Sequence, residues 1–146
     1  MAEIHPMTKA HREDVLSMMR VFYASPAVAT NGSEEIFRAD VDTCISNSPY
    51  LSGFVFIKDG YLAGYGMIAK SFSTEYGVPC IWIEDIYLKP EYRNMGIGSQ
   101  FFSFLEEQFP DHLFRLEVEA DNFPAVHTYR KNGFTEMPYM EMKKGK

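Results

Sequence analysis

A short loop places two glycines one residue apart, in the segment Arg93-Asn94-Met95-Gly96-Ile97-Gly98. The apolar run before it and the amphipathic run after it predict that the loop joins a strand to a helix. The first N–H groups of a helix have no partner within the helix, and the helix dipole adds partial positive charge there. Because glycine lets an anion approach the main chain, this loop could hold a phosphate or pyrophosphate, with Arg93 as a charged partner or as a brace for the loop.

Two common phosphate loops are excluded by the neighbouring residues. A dinucleotide fingerprint needs a third glycine where Phe101 stands. A nucleoside-triphosphate loop needs a lysine after the last glycine, and Ser99 follows Gly98 directly. Taken alone, the two glycines are also compatible with a tight turn and no ligand.

Two adjacent carboxylates, Glu84 and Asp85, interrupt the apolar run Ile81–Leu88. A charged side chain in a central strand needs a compensating role, although Glu84 could also be a solvated carboxylate at a sheet edge. Neighbours on a regular strand point to opposite faces, whereas a bulge would bring both carboxylates into one cleft. Glu117 and Glu119 alternate with apolar residues, and we expect them to face solvent or a cleft without a catalytic role.

Strands and helices alternate along the chain, which has 146 residues and the length of one domain. Periodicity and turn residues predict an α/β or α+β fold with a mixed sheet. The predicted strands lie near 3–7, 54–57, 61–73, 81–88, 113–120 and 139–143. Four helices are predicted. The first carries an apolar stripe from Val15 to Phe22, and the second begins after Ser33. The third runs over about 98–109, and the fourth follows Asp121-Asn122.

Composition excludes several classes of function. The net charge is -6 and the basic residues are scattered, which argues against nucleic-acid binding. No apolar run approaches the roughly 20 residues of a membrane span, and the first residues do not resemble a signal peptide. The two cysteines, Cys44 and Cys80, lack metal-site spacing and suit a reducing cytoplasm. The histidines show no ligand spacing either, so we expect no metal.

Two segments resemble the GNAT superfamily of acetyl-CoA-dependent N-acetyltransferases. The first is Glu84–Gly98, with the family's Arg/Gln-x-x-Gly-x-Gly/Ala loop after its fourth strand. The second is Asn122–Phe134, where Asn, Ala, Tyr and Gly-Phe follow at the family's spacing. Within the superfamily, the first segment is similar to diamine (spermidine/spermine) acetyltransferases, whereas Asp121 stands where those enzymes often have Trp.

The resemblance implies a single N-acetyltransferase domain over residues 1–146, with a mixed, mostly antiparallel, twisted sheet of six to seven strands and about four helices. It also implies acetyl-CoA as acyl donor. The pantetheine arm would pair with the main chain at the end of the fourth strand, and the pyrophosphate would rest on the loop amides. The implied coenzyme-binding residues are Ile86, Tyr87, Leu88, Arg93, Asn94, Met95, Gly96, Ile97, Gly98, Ser99 and Asn122. Asn122 could instead only cap its helix.

The resemblance implies two proton-handling groups. A protonated amine cannot attack a thioester, so a base must remove a proton, and the leaving thiolate gains from a donor. Glu84 stands at a position that often holds the base, with Asp85 as a weaker candidate for base or substrate ligand. Tyr129 stands at the family's acid position, although without the motif it would be interpreted as a core aromatic residue.

The acceptor expected from this pattern is a small cationic amine such as a polyamine, because the acidic pair would bind a second ammonium group. The alternatives are a protein N-terminus or lysine, an amino acid, an aminoglycoside, or a coenzyme-binding module without catalysis. Neither cysteine lies in a matched segment, which favours direct attack without an acyl-enzyme. A homodimer stays open, since many relatives form dimers.

Overall fold

Five strands and four α-helices form over residues 1–146, the range that this computed structural model describes. The strands are β1 (Glu3–Pro6), β2 (Leu51–Lys58), β3 (Tyr61–Ser73), β4 (Val78–Leu88) and β5 (Leu113–Leu116). The helices are α1 (Arg12–Tyr23), α2 (Glu34–Ile45), α3 (Ile97–Gln108) and α4 (Phe123–Lys131). None of these helices combines the length and the apolar character needed to cross a bilayer.

The strands form one sheet in the order β1-β2-β3-β4-β5. The first three neighbouring pairs are antiparallel, and β4 pairs with β5 in parallel. The predicted mixed, mostly antiparallel sheet and the four helices are therefore confirmed. The predicted count of six to seven strands is wrong, because the sheet has five.

The error lies at the C-terminal end of the chain. The predicted strand over 113–120 stops at Leu116, and residues 139–143 form no strand. Pro138 directly precedes residues 139–143 and has no N–H to donate to a neighbouring strand. The carboxyl groups of Glu117 and Glu141 also lie close to each other. Like charges opposite each other oppose strand pairing, so these residues favour an irregular segment over a sixth strand.

Local sequence explains the elements that were predicted correctly. The side-chain oxygen of Ser33 accepts a hydrogen bond from the Ile36 N–H at 3.2 Å and so caps α2. Asp59 and Gly60 have φ values of 51° and 83° and connect β2 to β3. Two positive φ values in a two-residue turn match the twist of a hairpin, as the Lys58-Asp59-Gly60 segment predicts.

Apolar side chains cover both faces of the sheet. Helices α1 and α2 pack on one face, where Tyr65 and Tyr87 of the sheet join Leu16 and Val41 in a buried cluster. Helix α3 packs on the other face, where its fully buried Phe101 belongs to a second apolar cluster. The strands are thus held from both sides, and in β4 Ile81 and Ile83 pack toward α3 whereas Tyr87 packs toward α1 and α2.

Candidate active site

The sheet opens between its two parallel strands. Their pairing runs only from Cys80 with Leu113 to Ile83 with Leu116. Strand β4 continues to Leu88, whereas β5 has ended. The edge of β4 that faces away from β3 is therefore unpaired over Glu84–Leu88. Three of the predicted coenzyme-binding residues, Ile86, Tyr87 and Leu88, lie on this open edge.

A β-bulge lies at the point where the two strands separate. In the pairing of β3 with β4, Met67 is opposite Asp85 and Ile68 is opposite Ile83, so Glu84 is the extra residue. The bulge, raised from the sequence as an alternative to regular pairing, is therefore present. The two carboxylates it brings together differ in exposure, because Asp85 is buried and Glu84 is exposed, although the charges of both act on Asp40.

Asp85 is buried on the face of the sheet that α1 covers. Its side chain is 4% exposed. One carboxylate oxygen accepts a hydrogen bond from the Tyr23 hydroxyl at 2.9 Å, and the other accepts one from the Tyr65 hydroxyl at 2.7 Å. Burial raises the pKa of Asp85, and the two hydroxyls oppose that shift. Both oxygens are thus engaged by protein, and neither is open to a substrate.

Glu84, in contrast, has an exposed side chain. Neighbouring protein atoms still crowd its carboxyl group, so desolvation is the first cause that raises its pKa, followed by the charges of Asp85 and Glu141. A carboxylate with a raised pKa is a better proton acceptor near neutral pH than an ordinary one. The position and electrostatics of Glu84 fit a general base.

The glycine loop leaves main-chain N–H groups at the start of α3 without partners. Asn94 and Gly96 have left-handed φ values of 62° and 80°. Gly96 precedes α3, and no side chain caps that helix. The first main-chain hydrogen bond at this end runs from the Gln100 N–H to the Gly96 carbonyl at 3.0 Å. The N–H groups of the residues between them therefore have no protein acceptor and are available to an anion.

Arg93 braces this loop. Its Nε donates to the Leu88 carbonyl oxygen at 2.9 Å, and its guanidinium lies 5.6 Å from the centre of the Tyr87 ring. Of the two roles considered from the sequence, the structure therefore supports a brace between the end of β4 and the loop.

Tyr129 lies on α4 between two phenylalanines. Its ring centre is 5.8 Å from that of Phe102 and 6.0 Å from that of Phe134. Burial raises the pKa of Tyr129, so the hydroxyl stays protonated at neutral pH. The hydroxyl has no hydrogen-bond partner in the protein, and this leaves it able to donate to a ligand.

Two asparagines flank Tyr129. Asn122 directly precedes α4, but its side chain makes no capping hydrogen bond, so the interpretation as a cap alone gains no support. Asn132 was given no role from the sequence. Its Nδ2 donates to Ser99 Oγ at 3.0 Å and to the Thr128 carbonyl at 2.8 Å. Asn132 therefore joins the first turn of α3 to the helix that carries Tyr129.

A cavity of about 910 Å³ lies beside Tyr129, and its lining includes Glu117, Glu141 and Arg115. Glu84 does not line this cavity, although its charge acts on Glu117. Hydrogen bonding to Glu141, then burial and the charges of Glu141 and Glu84, raises the pKa of Glu117 to about 7. This pair could not be predicted from the sequence, because its members are far apart in the chain.

No group of three or more histidine, cysteine or carboxylate side chains is arranged to hold a metal ion. Both cysteines are buried as free thiols, and burial raises the pKa of Cys44 to about 12. A thiol with that pKa is a weak nucleophile at neutral pH.

The chain belongs to the acetyltransferase (GNAT) family, whose family model matches residues 16–134. This match confirms the resemblance inferred from the two segments.

Curated relatives match about half of the chain. Over 83 residues it is 39% identical to thialysine N-epsilon-acetyltransferase of Sus scrofa, covering 55% of this chain and 48% of the relative. Over 80 residues it is 38% identical to streptothricin acetyltransferase of Streptomyces lavendulae, covering 52% and 40%. The chain thus spans about half the length of the curated relatives it matches.

Solved structures share the fold along the whole chain. The aminoglycoside acetyltransferase AAC(6')-Iy, in complex with a bisubstrate analogue of CoA, superposes with a TM-score of 0.80 at 15% identity, covering 100% of this chain and 99% of that one. A possible acetyltransferase from Clostridium difficile 630 superposes with a TM-score of 0.82 at 17% identity, covering 99% and 97%.

The raised carboxyl pKa values predict a dependence of stability on pH. Glu117 has an ordinary pKa of 4.5 and a folded pKa of about 7. Between these values the folded protein binds more protons than the unfolded chain, so the free energy of unfolding decreases as the pH rises. We expect urea unfolding to show lower stability at pH 7 than at pH 5, and Glu117→Gln to reduce the difference. Glu119→Gln, which removes an exposed carboxylate from the same segment, is the control, and an unchanged difference in Glu117→Gln would contradict the assignment.

Proposed function

We propose that this protein is an N-acetyltransferase that moves an acetyl group from acetyl-CoA to a primary amine by direct attack. The observation that carries the proposal is the open edge of β4 ending at a loop whose main-chain donors are free, in a chain of the GNAT family. An extended acyl-pantetheine arm can pair with such an edge as an added strand. The diphosphate of the same molecule needs the anion site that begins α3.

The coenzyme would then lie along β4 from the bulge to the loop. The main chain of Ile86, Tyr87 and Leu88 would pair with the pantetheine arm. The loop from Arg93 to Ser99 would hold the pyrophosphate, chiefly through the N–H groups at the start of α3. An ideal Cβ built on Gly98 meets only the tip of Ile86, at 3.9 Å, so the space between loop and strand is open. Asn122 is proposed to hold the coenzyme arm.

Two side chains would carry the proton transfers. The amine nitrogen attacks the thioester carbonyl, a C–N bond forms, and the C–S bond breaks. Glu84 accepts the proton that the amine loses, directly or through water, and Tyr129 donates a proton to the leaving thiolate. The raised pKa of Glu84 suits a base near neutral pH, and Tyr129 carries the proton that it would donate.

A small cationic amine such as a polyamine is the proposed acceptor. Several carboxylates cluster around the bulge and the cavity: after burial, the charges of Asp85 and Glu141 raise the pKa of Glu84, and hydrogen bonding to Glu141, then burial and the charges of Glu141 and Glu84, raise the pKa of Glu117. Together these groups create a negative potential. Burial and the charges of Asp85 and Glu84 raise the pKa of Asp40 to about 6. An ammonium group would relieve this repulsion. The two curated relatives above are named for thialysine and for streptothricin, and these names are consistent with an amine acceptor.

An amine panel tests the function. With acetyl-CoA, we expect thiol release to depend on the added amine and kcat/KM to be higher for diamines and polyamines than for matched monoamines, because a second ammonium group meets the negative potential. Amino acids and an aminoglycoside are also included in the panel. Peptides are included because a relative from Bacillus subtilis carries the name of a putative ribosomal-protein-alanine N-acetyltransferase. Turnover on a peptide alone would replace the proposed acceptor. Coenzyme binding without turnover on any amine would indicate a non-catalytic module.

Tyr129→Phe tests the acid. Loss of the hydroxyl should lower kcat by about 10²-fold or more, the usual contribution of a positioned proton donor, and leave the Kd for acetyl-CoA nearly unchanged. Tyr61→Phe is the matched control, because Tyr61 is 70% exposed at the β2–β3 hairpin. A Tyr129→Phe variant with the kcat of the unaltered protein would mean that another group supplies the proton.

Substitutions at Gly98 test the anion site. Gly98→Ala adds a methyl group into open space, so we expect a small effect on acetyl-CoA binding. Gly98→Val fills the space beside the free N–H groups and should raise the Kd for acetyl-CoA by about tenfold or more, roughly 1.4 kcal/mol. Calorimetric titration measures both, and thermal unfolding checks the fold. Equal Kd values for all three proteins would place the coenzyme elsewhere.

A further inference from the structure

Asp85 is a buried carboxylate held by two phenols from different elements. Tyr23 lies at the end of α1 and Tyr65 lies in the middle of β3, and each donates to a different carboxylate oxygen of Asp85. No lysine or arginine pairs with this carboxylate. A buried charge costs several kcal/mol unless its hydrogen bonds are satisfied, so these two phenols keep the carboxylate in its place.

The position of Asp85 fixes the position of its neighbour. Asp85 is opposite Met67, and Glu84 is the residue without a partner in β3. The side chains of Ile83 and Ile86 pack on the α3 side, whereas Asp85 faces α1. The extra residue, Glu84, is exposed, and its charge acts both on Asp40 of α2 and on Glu117 beyond the end of β5, so its carboxyl group lies at the opening between them.

We propose that Asp85 is a positioning residue, which, through its bonds to Tyr23 and Tyr65, holds the β4 bulge in the form that presents Glu84 to the acceptor amine. This assignment replaces the substrate-ligand role expected from the sequence, and it rests on the proposed function in which Glu84 is the base.

The same carboxylate acts on Glu84 through its charge. The titratable groups near the two carboxylates are Tyr23 from α1, Asp40 and Cys44 from α2, Tyr65 from β3, and Glu117 and Glu141 from the side of β5. The negative charge of Asp85 is the second cause, after desolvation, that raises the pKa of Glu84. Neutralising Asp85 should therefore lower that pKa and make Glu84 a weaker base.

Tyr65→Phe is the decisive variant. The Tyr65 side chain is fully buried, at 0% exposure, and its hydroxyl donates to Asp85, so this hydroxyl does not touch the acceptor. We expect kcat to fall by about tenfold, within the roughly 10²- to 10⁴-fold that a positioned base contributes, with the KM for the amine changed less than twofold. Tyr61→Phe is the control, because it makes the same change at an exposed position of the same strand.

Asp85→Asn separates positioning from substrate binding. We expect kcat to fall and the acidic limb of the kcat/KM profile to move to lower pH, because a negative charge beside Glu84 is lost. A rise in KM for diamines with an unmoved limb would show that Asp85 binds substrate and would overturn the proposal. An unchanged kcat in Tyr65→Phe would also overturn the proposal. This variant decides the question if Asp85→Asn does not fold.

A titration of the Glu84 carboxyl group by carbon NMR completes the test without any turnover. We expect the midpoint to be lower in Asp85→Asn than in the unaltered protein. That result in a protein that acetylates no amine would refute the proposed function while leaving the link between Asp85 and Glu84 intact. An unmoved midpoint would refute the electrostatic link, whatever the activity.

Discussion

Hydrogen bonding between β4 and β5 stops at Ile83 and Leu116, and the rest of the candidate site depends on that separation. Two parallel strands that remained paired would bury the main chain of residues 84–88 and leave no room for a ligand beside it. Because β5 ends after four residues, β4 keeps a row of unsatisfied donors and acceptors next to the glycine loop. An extended molecule with a diphosphate at one end satisfies both.

The bulge makes this opening chemically useful. A regular β4 would place the side chains of residues 84 and 85 on opposite faces and continue the alternation without interruption. The extra residue instead lets Ile83 and Ile86 share the face that α3 covers while a carboxylate remains at the opening. The cost of the buried Asp85 charge on the other face is offset by two phenolic hydrogen bonds, which are charge-assisted and therefore stronger than neutral ones. The β4 bulge and the buried Asp85 carboxylate thus act together to shape the site.

Much of this architecture could be predicted from the sequence. The helix stripes, the Ser33 cap, the Asp59-Gly60 turn and the loop before α3 all depend on nearby residues, and their physics is local. The partners of Asp85 could not be predicted, because Tyr23 and Tyr65 are brought to it only by tertiary packing. The alternating pattern in 139–143 predicted a strand that does not form, since strand formation depends on a partner edge. The raised pKa of Glu117 likewise depends on Glu141, which is distant in sequence.

The contact between Asp85 and its two tyrosines also limits how this sequence can diverge. Loss of either phenol leaves a buried charge short of a donor, which costs about 1–3 kcal/mol, a large share of the stability of a domain this size. Loss of the carboxylate leaves two buried hydroxyls without their acceptor. Asp85, Tyr23 and Tyr65 should therefore change together among descendants of this chain, because single replacements are destabilising where combined replacements are tolerated. Such covariation would join α1, β3 and β4 through one hydrogen-bonded group.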